Sequence, residues 1–139
     1  MKRSAVGLMM SLPLFLSTTA LFLDTGQPHA QQQPTIRRQP LLQRDSTIPG
    51  YDVAVTIVEI PPGVSEVRHT HPGALTVYVQ EGEIILEHEG RPTASYKAGT
   101  AFLVEAGKIH QGINKGTVPV KLITTLVAEK GKPANTPVE

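Results

Sequence analysis

Apolar and polar side chains alternate with a period of two in three separate stretches of this 139-residue chain. That period admits strands half-buried in a sheet and excludes long amphipathic helices. Val53, Val55 and Ile57 alternate with Ala54 and Thr56; Leu75, Val77 and Val79 alternate with Thr76, Tyr78 and Gln80. The longest run, Val118, Val120, Leu122, Thr124 and Leu126, interleaves with Pro119, Lys121, Ile123 and Thr125. Turn pairs punctuate the text at short intervals: Pro62-Gly63, Pro72-Gly73, Glu81-Gly82, Glu89-Gly90, Ala98-Gly99, Ala106-Gly107 and Lys115-Gly116. Many short strands with evenly spaced turns predict an all-β, antiparallel sandwich or barrel. No dinucleotide-type glycine fingerprint, nucleophile elbow or internal repeat accompanies them.

The chain's start reads differently. Lys2 and Arg3 precede an apolar run from Ala5 to Leu23, and a short polar stretch then leads to Ala30. Residues 1–30 are expected to be a secretory signal cleaved after Ala30, although Pro28 is an unusual residue so near a cut. The alternative is an uncleaved anchor, since the run is nearly long enough to span a bilayer. Residues 31–40 carry Pro34 and Pro40 and read as a linker or arm; 41–128 hold the domain; 129–139, with Pro133 and Pro137, read as a flexible tail. There is no cysteine, so neither disulfides nor thiolate ligands enter. Setting aside Lys2, Arg3 and Asp24, eleven basic and eleven acidic side chains remain of the 13 and 12 in the whole sequence. A neutral chain without tryptophan offers nucleic acid neither charge nor stacking platforms. The expected setting is the periplasm or outside the cell, with no membrane contact after cleavage.

Chemistry concentrates in histidines. His69 and His71 stand two residues apart, so on a strand both imidazoles project from one face. That spacing suits two cis ligands on one ion, and His110, from a distant strand, supplies a third. Neutral imidazoles suit divalent iron, copper, nickel or zinc better than the hard ions that prefer oxygen.

These stretches resemble the two motifs of the cupin superfamily. Gly63, His69, His71 and Gly82 match the first motif; Gly99, Gly107, His110 and Asn114 match the second. The resemblance runs from Gly63 to Asn114, and flanking strands extend it to about Leu41–Ala128. It implies a small jelly-roll β-barrel holding a metal through two histidines, a glutamate and a last histidine. The chain departs from the pattern twice. Leu75 stands where the glutamate belongs, and Glu105 replaces the proline of the second motif.

The ligand set is therefore expected to be His69, His71 and His110, with iron the first choice of metal and copper, nickel, zinc or manganese as alternatives. Three neutral ligands leave the ion's charge and some coordination positions open, which favours an anionic substrate and a second small ligand. Three-histidine cupins include thiol and diketone dioxygenases, a resemblance of ligand set alone. Leu75 and Val77 are expected to form an apolar pocket wall. Glu105 is either a solvated turn residue or a general base or ligand partner at the barrel mouth, and is the one candidate catalytic residue. Gln111 should point away from the metal, and Asn114 should close a turn with Lys115-Gly116. His88, beside a turn, is expected to be exposed and unrelated.

Two functions compete. One is a metal-dependent, dioxygenase-like oxidoreductase acting on a small anionic or enolisable molecule. The other is a non-catalytic barrel that binds or senses a small ligand or metal. A homodimer is expected, in which a strand around Leu41-Leu42 covers an open sheet edge.

Overall fold

The computed structural model describes residues 34–139. The expected signal, 1–30, lies outside the described residues.

Ten strands follow in order: β1 (Arg37–Asp45), β2 (Tyr51–Ile60), β3 (His69–Thr70), β4 (Ala74–Glu81), β5 (Glu83–His88), β6 (Ala94–Lys97), β7 (Ala101–Val104), β8 (His110–Ile113), β9 (Val120–Glu129) and β10 (Thr136–Pro137). No helix occurs among the described residues. The strands form two five-stranded sheets, one ordered β1-β2-β9-β4-β7 and the other β10-β3-β8-β5-β6. The strand pairings are antiparallel. This is the all-β jelly-roll arrangement expected from the sequence.

Alternation fixes which side chains enter. Along β4, Leu75, Val77 and Val79 are buried while Ala74, Thr76, Tyr78 and Gln80 are exposed. Ile84 from β5 meets Val58, Val79, Val104, Val120 and Leu122 from the other sheet in one core. Each such side chain contributes roughly 1.5–3 kcal/mol by leaving water.

Three details differ from the sequence reading. On β2, Ala54, Thr56 and Val58 face the interior, so Val53, Val55 and Ile57 face outward. The period of two is as expected, but both faces of this strand carry apolar residues and the pattern alone leaves the choice open. Val118 precedes β9 and is 57% exposed, so the last alternation starts at Val120. The domain also exceeds 41–128 at both ends. β1 begins at Arg37 and pairs with β2, and the expected tail returns as β10 to pair with β3. In each case the added strand satisfies backbone groups that an open edge would leave bare. Pro40 is tolerated in β1 because that strand is an edge, with a register shift between Pro40 and Leu42. Leu41 and Leu42 thus belong to a strand that covers the edge of its own sheet, and both remain exposed.

Candidate metal centre

The turn geometry of the two motifs sets the histidines in place. Gly73 follows His71, and an added Cβ there would lie 1.9 Å from the carbonyl oxygen of Val127. Only glycine lets the chain cross from β3 to β4 so close to β9. Gly107, at φ 73°, turns the chain before β8, and its N–H donates to the His71 carbonyl at 2.8 Å. The two motifs are therefore bonded to one another beside the histidines.

His69 lies directly across from His110 in the β3–β8 pair. His69, His71 and His110 are all buried, and their ligand atoms lie within 4.8 Å of one another. Ring centroids are 4.3 Å apart for His69–His110, 4.8 Å for His69–His71 and 5.0 Å for His71–His110.

The hydrogen bonds decide which ring nitrogens are free. His69 Nδ1 donates to the Val67 carbonyl at 2.8 Å, His71 Nδ1 to the Ala134 carbonyl at 2.6 Å, and His110 Nδ1 to the Lys108 carbonyl at 3.1 Å. A carbonyl only accepts, so each proton sits on Nδ1 and each Nε2 presents a lone pair. His71 Nε2 is buried without any hydrogen-bond partner. Burial holds the His110 ring far below its usual range, to about 4, despite its bond to the Lys108 carbonyl; the neighbouring histidines push the same way. His71 is lowered by burial first, despite its bond to the Ala134 carbonyl, and the nearby Arg38 cation pushes the same way. Both rings are thus held neutral at physiological pH. Three backbone-oriented imidazoles with converging lone pairs, one of them orphaned, fit a transition-metal ion.

The histidines open onto a cavity of about 140 Å³, between the sheets. Its walls include Leu75, Val77, Phe102 and Val104. Asn114 is 1% exposed; it accepts from Gly116 N–H and donates to the carbonyls of Ile60 and Val118, each at 2.9 Å. It closes the turn, as expected.

Glu105 is not among the three clustered ligands. Its carboxylate pairs with Arg91, and Oε2 lies 2.9 Å from His88 Nε2, off the line that a hydrogen bond needs. His88 overturns the expectation of an exposed residue. It is 7% exposed, lies across from His110 in the β5–β8 pair, and donates from Nδ1 to the Glu89 carbonyl at 2.8 Å. The signal was present in the alternation Ile84, Leu86, His88, which carries the inner face of β5 to its last residue. Arg38 and Glu66 also line the cavity, and the sequence reading passes over both.

The chain belongs to the cupin family: the family model described as Cupin domain matches residues 56–126, about half of the chain. No curated protein matches it. Among solved structures it is similar to a double-stranded β-helix protein from Klebsiella pneumoniae, at 22% identity and TM-score 0.61 over 77% of this chain and 90% of that one. It is similar to a cupin superfamily protein from Desulfitobacterium hafniense, at 17% identity and TM-score 0.60 over 70% and 82%. It is also similar to an oxalate oxidase solved with the substrate analogue glycolate, at 22% identity and TM-score 0.54 over 62% of this chain and 46% of that one. These likenesses concern the fold.

Proposed function

We propose that this cupin is a metal-dependent, dioxygenase-like enzyme acting on a small anionic or enolisable organic molecule. One observation carries the reading: three Nε2 lone pairs converge on the wall of an apolar cavity, each fixed by an Nδ1–H bond to backbone. His69, His71 and His110 would hold a divalent transition ion, iron first, with copper, nickel, zinc or manganese as alternatives. When bound, the ion would supply Lewis-acid polarisation of the substrate and a route for electrons to oxygen. The protein's own part is to orient and exclude. The backbone carbonyls of Val67, Ala134 and Lys108 hold the rings, and Leu75, Val77 and Phe102 keep water from the substrate. The oxalate oxidase neighbour supports the idea that this fold can host chemistry on small carboxylates.

A non-catalytic binding barrel is the second reading, favoured by Leu75. The apolar residue at that position gives the ion no negative ligand and so lowers its affinity. Metal content by elemental mass spectrometry, on untagged protein never exposed to chelator, tests the first reading. A near-stoichiometric redox metal, followed by oxygen uptake with diketones, thiols or phenolic acids, supports it. A barrel that refuses iron, copper, nickel and zinc refutes it. Export and homodimer formation belong to the same reading; fractionation and light scattering decide them.

A further inference from the structure

We propose that Arg38 selects a carboxylate-bearing ligand for the cavity, and that Glu66 positions Arg38 to do so. The inference rests on the reading of the histidine cavity as a ligand site. Arg38 pairs across from Val58, and the side chains of both line the cavity, so the guanidinium lies on the inner face of β1. Glu66 belongs to the opposite sheet's side: its N–H donates to the Gly112 carbonyl at 2.9 Å, and its neighbour Ser65 bridges to Ile113. Arg38 Nη2 donates to Glu66 Oε1 at 2.9 Å. This ion pair therefore spans the two sheets beside the three histidines.

Gly112 makes the arrangement fit. It lies two residues after His110 on β8, and a Cβ there would stand 2.9 Å from Glu66 Oε2. The glycine leaves room for a carboxylate beside the histidine strand. Glu66 is mostly buried, with 14% of its side chain exposed, whereas Arg38 is 45% exposed. A largely buried acid holding a half-open guanidinium is an anchor with a free side. One N–H of five is committed to Glu66, and the rest of the planar fork can take a second carboxylate in two parallel bonds. Glu66 keeps the pair neutral while the cavity is empty; an incoming anion is then balanced by the cation that the histidines would hold.

The walls set the rest of the ligand. Apart from this pair and the histidines, the cavity is lined mainly by Leu75, Val77, Phe102 and similar apolar groups. Its volume of about 140 Å³ is close to the ~150 Å³ of an apolar cavity that takes benzene. The ligand class is thus a small monocarboxylate with a short apolar body, its acid group at Arg38.

Titration of the full chain, metal-free and zinc-loaded, with benzoate and with the neutral isostere benzamide tests this by chemical-shift perturbation. Benzoate should bind at least about tenfold tighter than benzamide. Arg38→Met should weaken benzoate about 10- to 100-fold and leave benzamide affinity and zinc stoichiometry unchanged. Arg38→Lys should recover part of the loss, and Glu66→Gln should cost less than Arg38→Met. Arg37→Met, on the other face of β1, should change nothing. Equal affinity for the two probes, undetectable binding of both, or an Arg38→Met protein that binds benzoate normally overturns the proposal. Zinc stoichiometry separates the two readings. Loss of zinc binding with Arg38-dependent benzoate binding intact removes the metal reading alone; zinc bound with Arg38-independent benzoate removes this one alone.

Discussion

His110 faces His69 across the β3–β8 pair, so two ligands separated by 41 positions in sequence become immediate cross-strand neighbours. On its other side His110 faces His88, giving a row of three histidines across three adjacent strands. His71 joins from beyond the end of β3.

Replacing any one of His69, His71 or His110 by alanine should abolish stoichiometric metal, because two neutral ligands hold a divalent ion weakly. His88→Ala should retain metal, since His88 lies outside the three-residue cluster. Elemental analysis of the four variants checks both halves.

The metal-free protein should lose stability as pH falls. His110 has a folded value near 4, below the ordinary 6.5, so the unfolded chain takes up a proton that the folded one refuses. His71 is shifted in the same direction. The His110 contribution is complete above about pH 6.5 and is lost as pH falls toward about 4, up to about 3 kcal/mol in all. Urea midpoints measured between pH 7.5 and 4 should fall across that window, and a flat profile would contradict the burial of these rings.

Leu75→Glu should restore a carboxylate to the position that the family motif reserves for it. Leu75 lines the cavity and is 8% exposed. Without metal the buried acid should cost about 2 kcal/mol or more. Zinc should return that loss and bind tighter than in the parent, visible as a larger metal-induced rise in Tm.

Asn114→Ala removes the side chain that serves the Ile60 carbonyl, the Val118 carbonyl and the Gly116 N–H. With the site fully buried, the expected loss is about 2–4 kcal/mol by urea unfolding. Metal stoichiometry at low temperature should persist.

Gly73→Ala and Gly112→Ala should differ sharply. At Gly73 the new methyl meets backbone at 1.9 Å, and a loss of about 3 kcal/mol or more, or failure to fold, is expected. At Gly112 it meets the end of the Glu66 side chain, which can swing aside. Gly112→Ala should therefore unfold near the parent's midpoint, as read by circular dichroism.

Much of this was legible from residues alone because it rests on spacing. His69 and His71 share a face by parity, and the Gly-rich turns mark where strands end. What sequence could not supply was distance between elements. Arg38 and Glu66 are 28 positions apart, and only the fold-back of β1 onto β2 brings them together. His88 was hidden by its flanking glutamates, Glu87 and Glu89, whose polarity signals a solvated turn although parity places the ring inside. On β2 both faces carry apolar side chains, so the period was readable and the inner face was not.

The bond from His71 Nδ1 to the Ala134 carbonyl joins residues 63 positions apart. During synthesis the first motif leaves the ribosome long before the group that orients its second ligand, so the centre can be completed only after Ala134 has emerged. A cleavage or fusion that pulls the segment around Ala134 away from His71 would act on the ligand geometry without touching a ligand.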